Sequence, residues 1–224
     1  MAQAPLVHVV DDDAAVRDSL ALLLESAGLA VRAYDSAAAF LAVAVTLDAG
    51  CVLTDVRMPD IDGLTMQRKL TVLNPRLAVV VMTGHADVPI AVDALKAGAR
   101  DFLEKPLDAE RLIAVAKDAL AASQRARDES EAADVIAGRL ATLTPREREV
   151  LQGLVAGQPN KTIAYDLGTS PRTVEVQRAR VMEKMSARNL TELVRMVLAF
   201  EQAGRKPLGP LTEVRSSGVG RENA

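Results

Sequence analysis

Apolar runs of strand length alternate with helical patterns over residues 1–122. Turn residues bound each run, as expected of buried parallel strands, and the five runs are Leu6–Val10, Ala30–Tyr34, Cys51–Asp55, Ala78–Thr83 and Asp101–Lys105. Between them and after the last one, apolar residues recur at helical spacing, with Gly28 and Gly98 as helix stops. Five strands alternating with five helices predict an α/β domain, in which helices cover both faces of a doubly wound, five-stranded parallel sheet.

The rear part of the chain has no strand pattern. After a fifth helix predicted from Asp108 to about Ser123, the polar segment 123–138 is rich in helix formers. We therefore predict a helical linker there, which either continues the fifth helix or stands apart from it. Residues 139–204 are predicted to form a second, smaller all-α domain of four helices, near 145–156, 160–167, 171–185 and 191–203. Residues 205–224 lack periodicity and are rich in Gly, Pro, Ser and charge, which predicts a disordered tail.

Composition narrows the classes of protein to which this chain can belong. Hydrophobic residues make up 49% of the 224 residues but aromatic ones only 2%, so the core must be aliphatic. No apolar stretch reaches the ~18 residues of a membrane span, and the N-terminus lacks the pattern of a signal peptide. We therefore expect a cytoplasmic location and no membrane partner. The single cysteine, Cys51, excludes an internal disulfide and a cysteine-based zinc cluster.

Charge is divided unevenly along the chain, whose net charge is −3. Residues 1–122 carry a net charge of −6, whereas residues 139–204 carry a net charge of +3. An acidic front and a mildly basic rear indicate two modules that have different partners.

Carboxylates stand at the ends of two predicted strands. Asp11 and Asp12 follow the first strand, and Asp55 ends the third. The carboxyl ends of parallel strands form one edge of the sheet, where α/β proteins place their sites, so these side chains are expected to meet. Two carboxylates about 4 Å apart repel by roughly 4 kcal/mol at an effective dielectric of 20, and the cluster therefore needs a cation or a raised pKa. Hard oxygen ligands of this kind suit Mg²⁺ or Mn²⁺.

Two further strand ends carry groups that suit phosphoryl chemistry. Thr83 offers a hydroxyl and Lys105 offers a compact positive charge at the same edge of the sheet. A bound Mg²⁺ would draw in a phosphoryl group, and a carboxylate oxygen of Asp55 would then act as the nucleophile and form an aspartyl phosphate.

Residues 1–122 resemble the flavodoxin-like receiver domain of two-component response regulators. The resemblance lies in four motifs, which are Val10-Asp11-Asp12-Asp13, Thr54-Asp55-Val56-Arg57-Met58-Pro59, Met82-Thr83-Gly84-His85 and Glu104-Lys105-Pro106. It implies that Asp55 is the phosphoacceptor and that Asp11 and Asp12 hold the metal ion with it. The backbone carbonyl of Arg57 would complete the protein ligands, and the peptide bond between Lys105 and Pro106 would be cis.

The same resemblance implies how the signal leaves the phosphoacceptor. Thr83 and Lys105 would be switch residues that contact the phosphoryl group, and Phe102 would be the aromatic switch. The surface around Val92 and Lys96 would become the dimerisation face.

Residues 160–185 hold a second pattern, two helices joined by a short turn that contains Gly168. Val174, Val181 and Met185 share one face of the second helix and predict its buried side. The expected contacts with the major groove of DNA are Lys161, Arg172, Thr173, Glu175, Val176, Ala179 and Arg180. From the pattern alone, a helical module that binds another protein is an alternative, because the outward glutamates would repel the phosphates of DNA.

Residues 140–200 resemble the LuxR-type helix-turn-helix. The runs Ser170-Pro171-Arg172-Thr173-Val174-Glu175-Val176 and Thr83-Gly84-His85-Ala86-Asp87-Val88-Pro89 are similar to those of FixJ regulators. Gln177 departs from the His or Tyr that is frequent there, so its contact role stays open. The likeness implies a cognate sensor histidine kinase, an oxygen-sensing haem protein in the FixJ case, and nitrogen-fixation and microaerobic target genes. Other FixJ-like regulators serve unrelated signals.

The expected function is that of a response regulator rather than an enzyme. A histidine kinase would phosphorylate Asp55, the receiver would form a homodimer, and the helix-turn-helix would be released or aligned on promoter DNA to activate RNA polymerase. Self-phosphorylation from small phosphodonors and slow autodephosphorylation are also expected. One alternative is a phosphate sink or protein-interaction regulator that does not bind DNA. Another is a haloacid-dehalogenase-like phosphatase, whose second Asp would stand where this chain has Arg57.

Overall fold

The apolar runs of the front half form one parallel sheet in the computed structural model, which describes residues 6–84 and 88–205. Its strand order is β2-β1-β3-β4-β5, with β1 at Leu6–Val10, β2 at Val31–Tyr34, β3 at Gly50–Asp55, β4 at Leu77–Thr83 and β5 at Asp101–Glu104. The central strand β3 is buried along its whole length, which explains its continuous apolar run. Cys51 within β3 is fully buried. The predicted doubly wound sheet is confirmed.

Helices cover both faces of this sheet. They are α1 at Ala14–Ser26, α2 at Ala37–Ala44, α3 at Gly63–Leu73, α4 at Val88–Lys96 and α5 at Ala109–Ala141. The core on the side of α1 and α5 includes Val7, Val9, Leu24, Leu53, Met82 and Leu112. The core on the opposite side includes Val10, Phe40, Val52, Met66, Leu70 and Val81. Burial of each such side chain contributes about 1.5–3 kcal/mol to the free energy of folding. The sheet is therefore stabilised by a core on each face.

The turns that follow β1 and β3 are held by side-chain caps. Asp13 caps α1 by accepting a hydrogen bond from the backbone nitrogen of Ala15 at 2.8 Å. Asp62 caps α3 in the same way, accepting from the backbone nitrogen of Thr65 at 2.7 Å. These caps satisfy amide groups that a helix start leaves unpaired. They also fix the loop that contains Asp11 and Asp12 and the loop that follows Asp55.

The rear unit is all-α. It consists of the end of α5 together with α6 at Pro145–Val155, α7 at Asn160–Asp166, α8 at Pro171–Lys184 and α9 at Leu190–Gln202. Thr144 and Glu147 form a capping box at the start of α6, and Ser170 caps α8. Gly168 has a φ of 60°, in the left-handed region that glycine favours, and so permits the short turn between α7 and α8.

The fifth helix continues through the predicted helical linker. Its apolar pattern ends near Ser123, but α5 runs to Ala141, so segment 123–138 continues the fifth helix, which was one of the two arrangements left open by the sequence. Ser123 is buried in the front unit, where its hydroxyl accepts from the backbone nitrogen of Gly50 at 2.7 Å and donates to the carbonyl of Arg76. Between Ser123 and Gly138 the sequence has no Gly or Pro. The helix therefore continues through this segment even though its residues are mostly polar.

The chain divides into two compact units between Asp128 and Glu129. This boundary lies inside segment 123–138, which we interpreted as a linker. Ala133, Ile136 and Leu140 of α5 belong to the core of the rear unit. Apart from Arg205, the predicted tail lies outside the described residues. In the described ranges, no helix is long and apolar enough to cross a bilayer.

Candidate functional site

Asp55 is the last residue of β3 and lies at the carboxyl edge of the sheet. It is 8% exposed, so only a small part of its surface reaches solvent. Its Oδ2 accepts a hydrogen bond from the backbone nitrogen of Arg57 at 2.6 Å. Its Oδ1 accepts from Nζ of Lys105 at 2.7 Å. The carboxylate is therefore held in one orientation by a backbone donor and a cation.

Asp11 follows β1, the strand that neighbours β3, and it is buried. Its Oδ1 accepts from the backbone nitrogen of Asp13 at 3.0 Å, and its Oδ2 accepts from Nζ of Lys105 at 3.0 Å. One ammonium thus bridges the carboxylates of Asp11 and Asp55. This arrangement offsets the repulsion of two buried like charges.

Lys105 reaches the two carboxylates from the end of β5. Its backbone nitrogen donates to the carbonyl of Thr83 at 2.7 Å, and the bond between Lys105 and Pro106 is cis, as expected. Burial alone would lower the pKa of Lys105, but the hydrogen bonds and charges of Asp55 and Asp11 outweigh it and raise that pKa. Lys105 therefore stays a cation at neutral pH.

The other predicted receiver residues lie around this trio. Thr83 ends β4 and is buried, whereas Arg57 is exposed in the loop after β3. Phe102 on β5 is half-buried against the core that contains Phe40 and Met66. Val92 and Lys96, the predicted dimerisation residues, are both exposed on α4.

The expected metal site contains two buried carboxylates. Asp12 is exposed beside the buried pair, and in the part of the chain that the structure describes, no three Asp, Glu, His or Cys side chains converge to hold a metal ion. The structure brings Asp11 and Asp55 together without Asp12 as a third close ligand. The pair itself fits a hard cation, because carboxylate oxygens are the ligands that Mg²⁺ prefers and two of them face the same ammonium here.

Two residues near the site were missed by sequence reasoning. Nη1 of Arg17 on α1 donates to the carbonyl of Asp11 at 2.8 Å. Gly63 begins α3, and a Cβ there would lie 2.1 Å from the carbonyl oxygen of Asp55. Only the Asp62-Gly63 pair carried a sequence signal, because it is typical of turns. Both residues act on backbone atoms, which apolar patterns do not reveal.

The helix-turn-helix of the rear unit presents one polar face. Val174, Val181 and Met185 are buried in its core. All the residues predicted to contact DNA are exposed, and they are Lys161, Arg172, Thr173, Glu175, Val176, Ala179 and Arg180. A helix of this width fits the major groove, and the arginines on it suit phosphate and base contacts.

A half-buried ion pair joins the second of these helices to α6. Nζ of Lys184, the last residue of α8, lies 2.6 Å from Oε2 of Glu147, whose side chain is buried. The hydrogen bond from Lys184, followed by that from the backbone of Thr144, lowers the pKa of Glu147. Glu147 therefore both caps α6 and anchors α8.

Two family models match the chain. The model described as response regulator receiver domain matches residues 7–117. The model described as bacterial regulatory proteins, luxR family, matches residues 141–197. These are the two regions in which the acidic site and the helix-turn-helix lie.

Known relatives match both regions at once. The transcriptional regulatory protein FixJ of Azorhizobium caulinodans is 57% identical over 86% of this chain and 91% of its own length. The solved structure of the response regulator StyR has a TM-score of 0.75 and 38% identity, covering 88% of this chain and 99% of its own. The solved structure of full-length FixJ from B. japonicum has a TM-score of 0.54 and 46% identity, covering 89% of this chain and 98% of its own. The chain therefore belongs to the FixJ response regulators, two-component proteins in which a receiver domain precedes a LuxR-type DNA-binding domain that regulates transcription.

Proposed function

We propose that a sensor histidine kinase phosphorylates Asp55 and thereby converts this chain from a resting form into a dimer that activates transcription. The observation that carries the proposal is the ammonium of Lys105 between the buried carboxylates of Asp11 and Asp55. A carboxylate that is held in place, still touches solvent and has a cation beside it is prepared to accept an anionic group. We place this reaction in the cytoplasm, where the kinase and promoter DNA are both accessible.

The phosphoryl group passes from the kinase histidine to an oxygen of Asp55. The P–N bond breaks as the O–P bond forms, and the imidazole keeps the electron pair and takes a proton from solvent. Lys105 balances the added negative charge, and the backbone nitrogen of Arg57 orients the carboxylate. Asp11, Asp55 and the carbonyl of Arg57 would hold Mg²⁺ or Mn²⁺, and the exposed side chain of Asp12 would have to turn toward them to join as a ligand; the ion would supply further charge neutralisation.

Thr83 and Phe102 would carry the signal away from Asp55. Thr83 is buried at the end of β4, and its carbonyl accepts from the backbone of Lys105, so a movement of either residue reaches β5. Phe102 is half-buried on β5 and packs against the core, so a change in its exposure would alter the surface beside β5. Moving such an equilibrium from 1:99 to 99:1 needs about 5.5 kcal/mol, which new contacts to a dianion are of the size to supply. Dimerisation then uses the exposed face around Val92 and Lys96.

The dimer would present two α8 helices to half-sites on one face of promoter DNA. Contacts from Arg172 and Arg180 fit this role because both are exposed on α8. RNA polymerase is the partner that such an activator recruits. From the likeness to FixJ we also propose an oxygen-sensing haem kinase as the phosphodonor and nitrogen-fixation genes as targets.

The experiment replaces Asp55 with Asn in the full chain. With acetyl phosphate and Mg²⁺, the wild type should take up a phosphoryl group, dimerise and bind duplexes that it selects from a random DNA pool. Asp55→Asn should do none of these. Asp48→Asn, which removes the same charge from an exposed position, should behave as the wild type does.

Two outcomes would contradict the proposal. An Asp55→Asn variant that dimerised and bound DNA like the phosphorylated wild type would show that Asp55 is not the switch. DNA binding that did not weaken with salt, or no binding at all, would favour a phosphate sink instead. The rate at which the wild type loses its phosphoryl group, measured by intact mass, tests the expected slow autodephosphorylation.

A further inference from the structure

The carboxyl ends of α5 and α8 hold each other through two reciprocal hydrogen bonds. Nη1 of Arg139, on α5, donates to the carbonyl of Met185 at 3.0 Å. Nζ of Lys184, on α8, donates to the carbonyl of Thr142 at 3.1 Å. Met185 is the C-cap residue of α8, and Thr142 directly follows the last residue of α5. Each helix end thus receives a cation from the other helix.

The physical basis is the charge at a helix C-terminus. The last carbonyls of a helix have no partner inside it, and the helix dipole makes that end partly negative. A hydrogen bond from a charged donor is stronger than one from a neutral donor, and here both donors are charged. Arg139 and Lys184 therefore satisfy groups that would otherwise face solvent or stay unpaired.

Packing makes this junction stiff. Ile136 and Leu140 of α5 lie in the same core as Val181 and Met185 of α8. Lys184 is also anchored to the buried Glu147 of α6. Close-packed interiors transmit displacement rather than absorb it, so a shift of the last turns of α5 carries the end of α8 along.

We propose that Arg139 is a positioning residue for DNA recognition, which fixes the carboxyl end of the recognition helix α8 to α5. The inference rests on the proposed function and adds to it the route by which α5 sets the orientation of α8. Arg139 acts through the carbonyl of Met185 and not through DNA. Its loss should therefore weaken specific binding without removing a phosphate contact.

The test compares three variants of the full chain, phosphorylated with acetyl phosphate and Mg²⁺. Arg139→Met removes the donor but keeps an unbranched side chain, and Arg139→Lys keeps the charge but not the planar fork of donors. Arg195→Met removes an equal charge from an exposed position on α9 and serves as the control. The DNA probe is a labelled duplex that the wild type selects from a random pool.

Arg139→Met should bind this duplex about tenfold more weakly, as expected for the loss of one hydrogen bond to a charged group. The slope of log affinity against log salt should stay that of the wild type, since no phosphate contact is lost. Amide hydrogen exchange should speed up in the last turn of α8. Uptake of phosphoryl by Asp55 should not change. In Arg195→Met, the amide hydrogen exchange of the last turn of α8 should be that of the wild type. Should Arg139→Met not fold, the same comparisons apply to Arg139→Lys, with changes in the same direction.

Unchanged affinity and unchanged exchange in Arg139→Met would overturn the inference while leaving the proposed function standing. A salt slope reduced by about one phosphate contact would also overturn it, because Arg139 would then touch DNA directly. Failure of the phosphorylated wild type to select any duplex would overturn the proposed function itself, and the positioning role with it.

Discussion

At the scale of single residues, His8 is a titratable group buried in the core of the receiver. It is 1% exposed on β1, its Nδ1 lies 3.2 Å from the hydroxyl of Tyr34, and its Nε2 has no hydrogen-bond partner within the described residues. The rings of Tyr34 and Phe40 lie 5.8 and 5.3 Å from its own. Burial, together with the smaller effect of the positive charge of Arg32, lowers the pKa of His8 to about 4. His8 is therefore neutral in the folded protein.

We expect His8 to make the receiver sensitive to mild acid. The unfolded chain takes up a proton near pH 6.5, whereas the folded chain does so only near pH 4, so stability is full above pH 6.5 and falls as pH drops toward 4. The loss approaches roughly 3 kcal/mol at about 1.4 kcal/mol per pH unit. His8→Phe should remove this loss. Urea unfolding of the receiver at a series of pH values measures it.

The other histidine of the chain provides the control for this prediction. His85 lies outside the described residues, and His85→Phe should leave the acid sensitivity in place. If His85→Phe flattened the pH profile and His8→Phe did not, the burial of His8 would not be its cause.

Sequence reasoning recovered the charged trio but not its bonding. Asp11, Asp55 and Lys105 were predicted because each stands at a strand end, and the parallel register brings those ends to one edge. The direct contacts of Lys105 with both carboxylates depend on the conformation of its flexible side chain, which the spacing of residues in the sequence does not specify. Arg17 was missed for the same reason, since its partner is a backbone carbonyl.

At the scale of elements, strands were easier to predict than the end of α5. A strand buried on both faces must be apolar throughout, so its limits show in the sequence. The core-facing residues of α5 instead pass from the front unit, at Leu112 and Ala116, to the rear unit, at Ile136 and Leu140. Residues 124–132 between them belong to neither core, so this polar stretch resembles a linker although its backbone remains helical.

The loop between β3 and α3 requires glycine at position 63. Gly63→Ala places a Cβ 2.1 Å from the carbonyl oxygen of Asp55. Because this oxygen is a backbone atom, it cannot move aside by a change of rotamer. We expect a loss of roughly 1–3 kcal/mol in the free energy of unfolding and slower phosphorylation by acetyl phosphate. Urea unfolding and phosphoryl uptake measure the two effects.

A second glycine in a helix provides the matched control for Gly63. A Cβ at Gly138, on α5, would meet no heavy atom within 4 Å. Gly138→Ala should therefore stabilise the protein by roughly 0.5–1 kcal/mol, because it reduces the freedom of the unfolded chain. Equal stability changes in the two variants would mean that the contact with Asp55 relaxes without cost.

At the scale of the whole molecule, charge and fold follow the same division. The acidic front of the chain folds as the receiver, and the mildly basic rear folds as the DNA-binding unit. A surplus of positive charge on the DNA-binding part favours phosphate contact, and a surplus of negative charge on the receiver discourages it. The sequence could predict two modules from this asymmetry, but not that α5 would contribute to both cores.

The single thiol of the chain should report the opening of the receiver. Cys51 is fully buried in β3, and burial raises the pKa of its thiol. A thiol-reactive dye should therefore modify the native protein only at the rate at which the central strand becomes exposed, and modify the urea-unfolded chain at once. Rapid modification of the native protein would contradict the burial of Cys51.

This protected thiol also has a practical consequence. A cysteine introduced at an exposed position would be the group that labelling reagents reach first, with the native residue left in place. Fluorophores or spin labels attached in pairs, one on each unit, would then follow the distance between the units as Asp55 gains and loses its phosphoryl group.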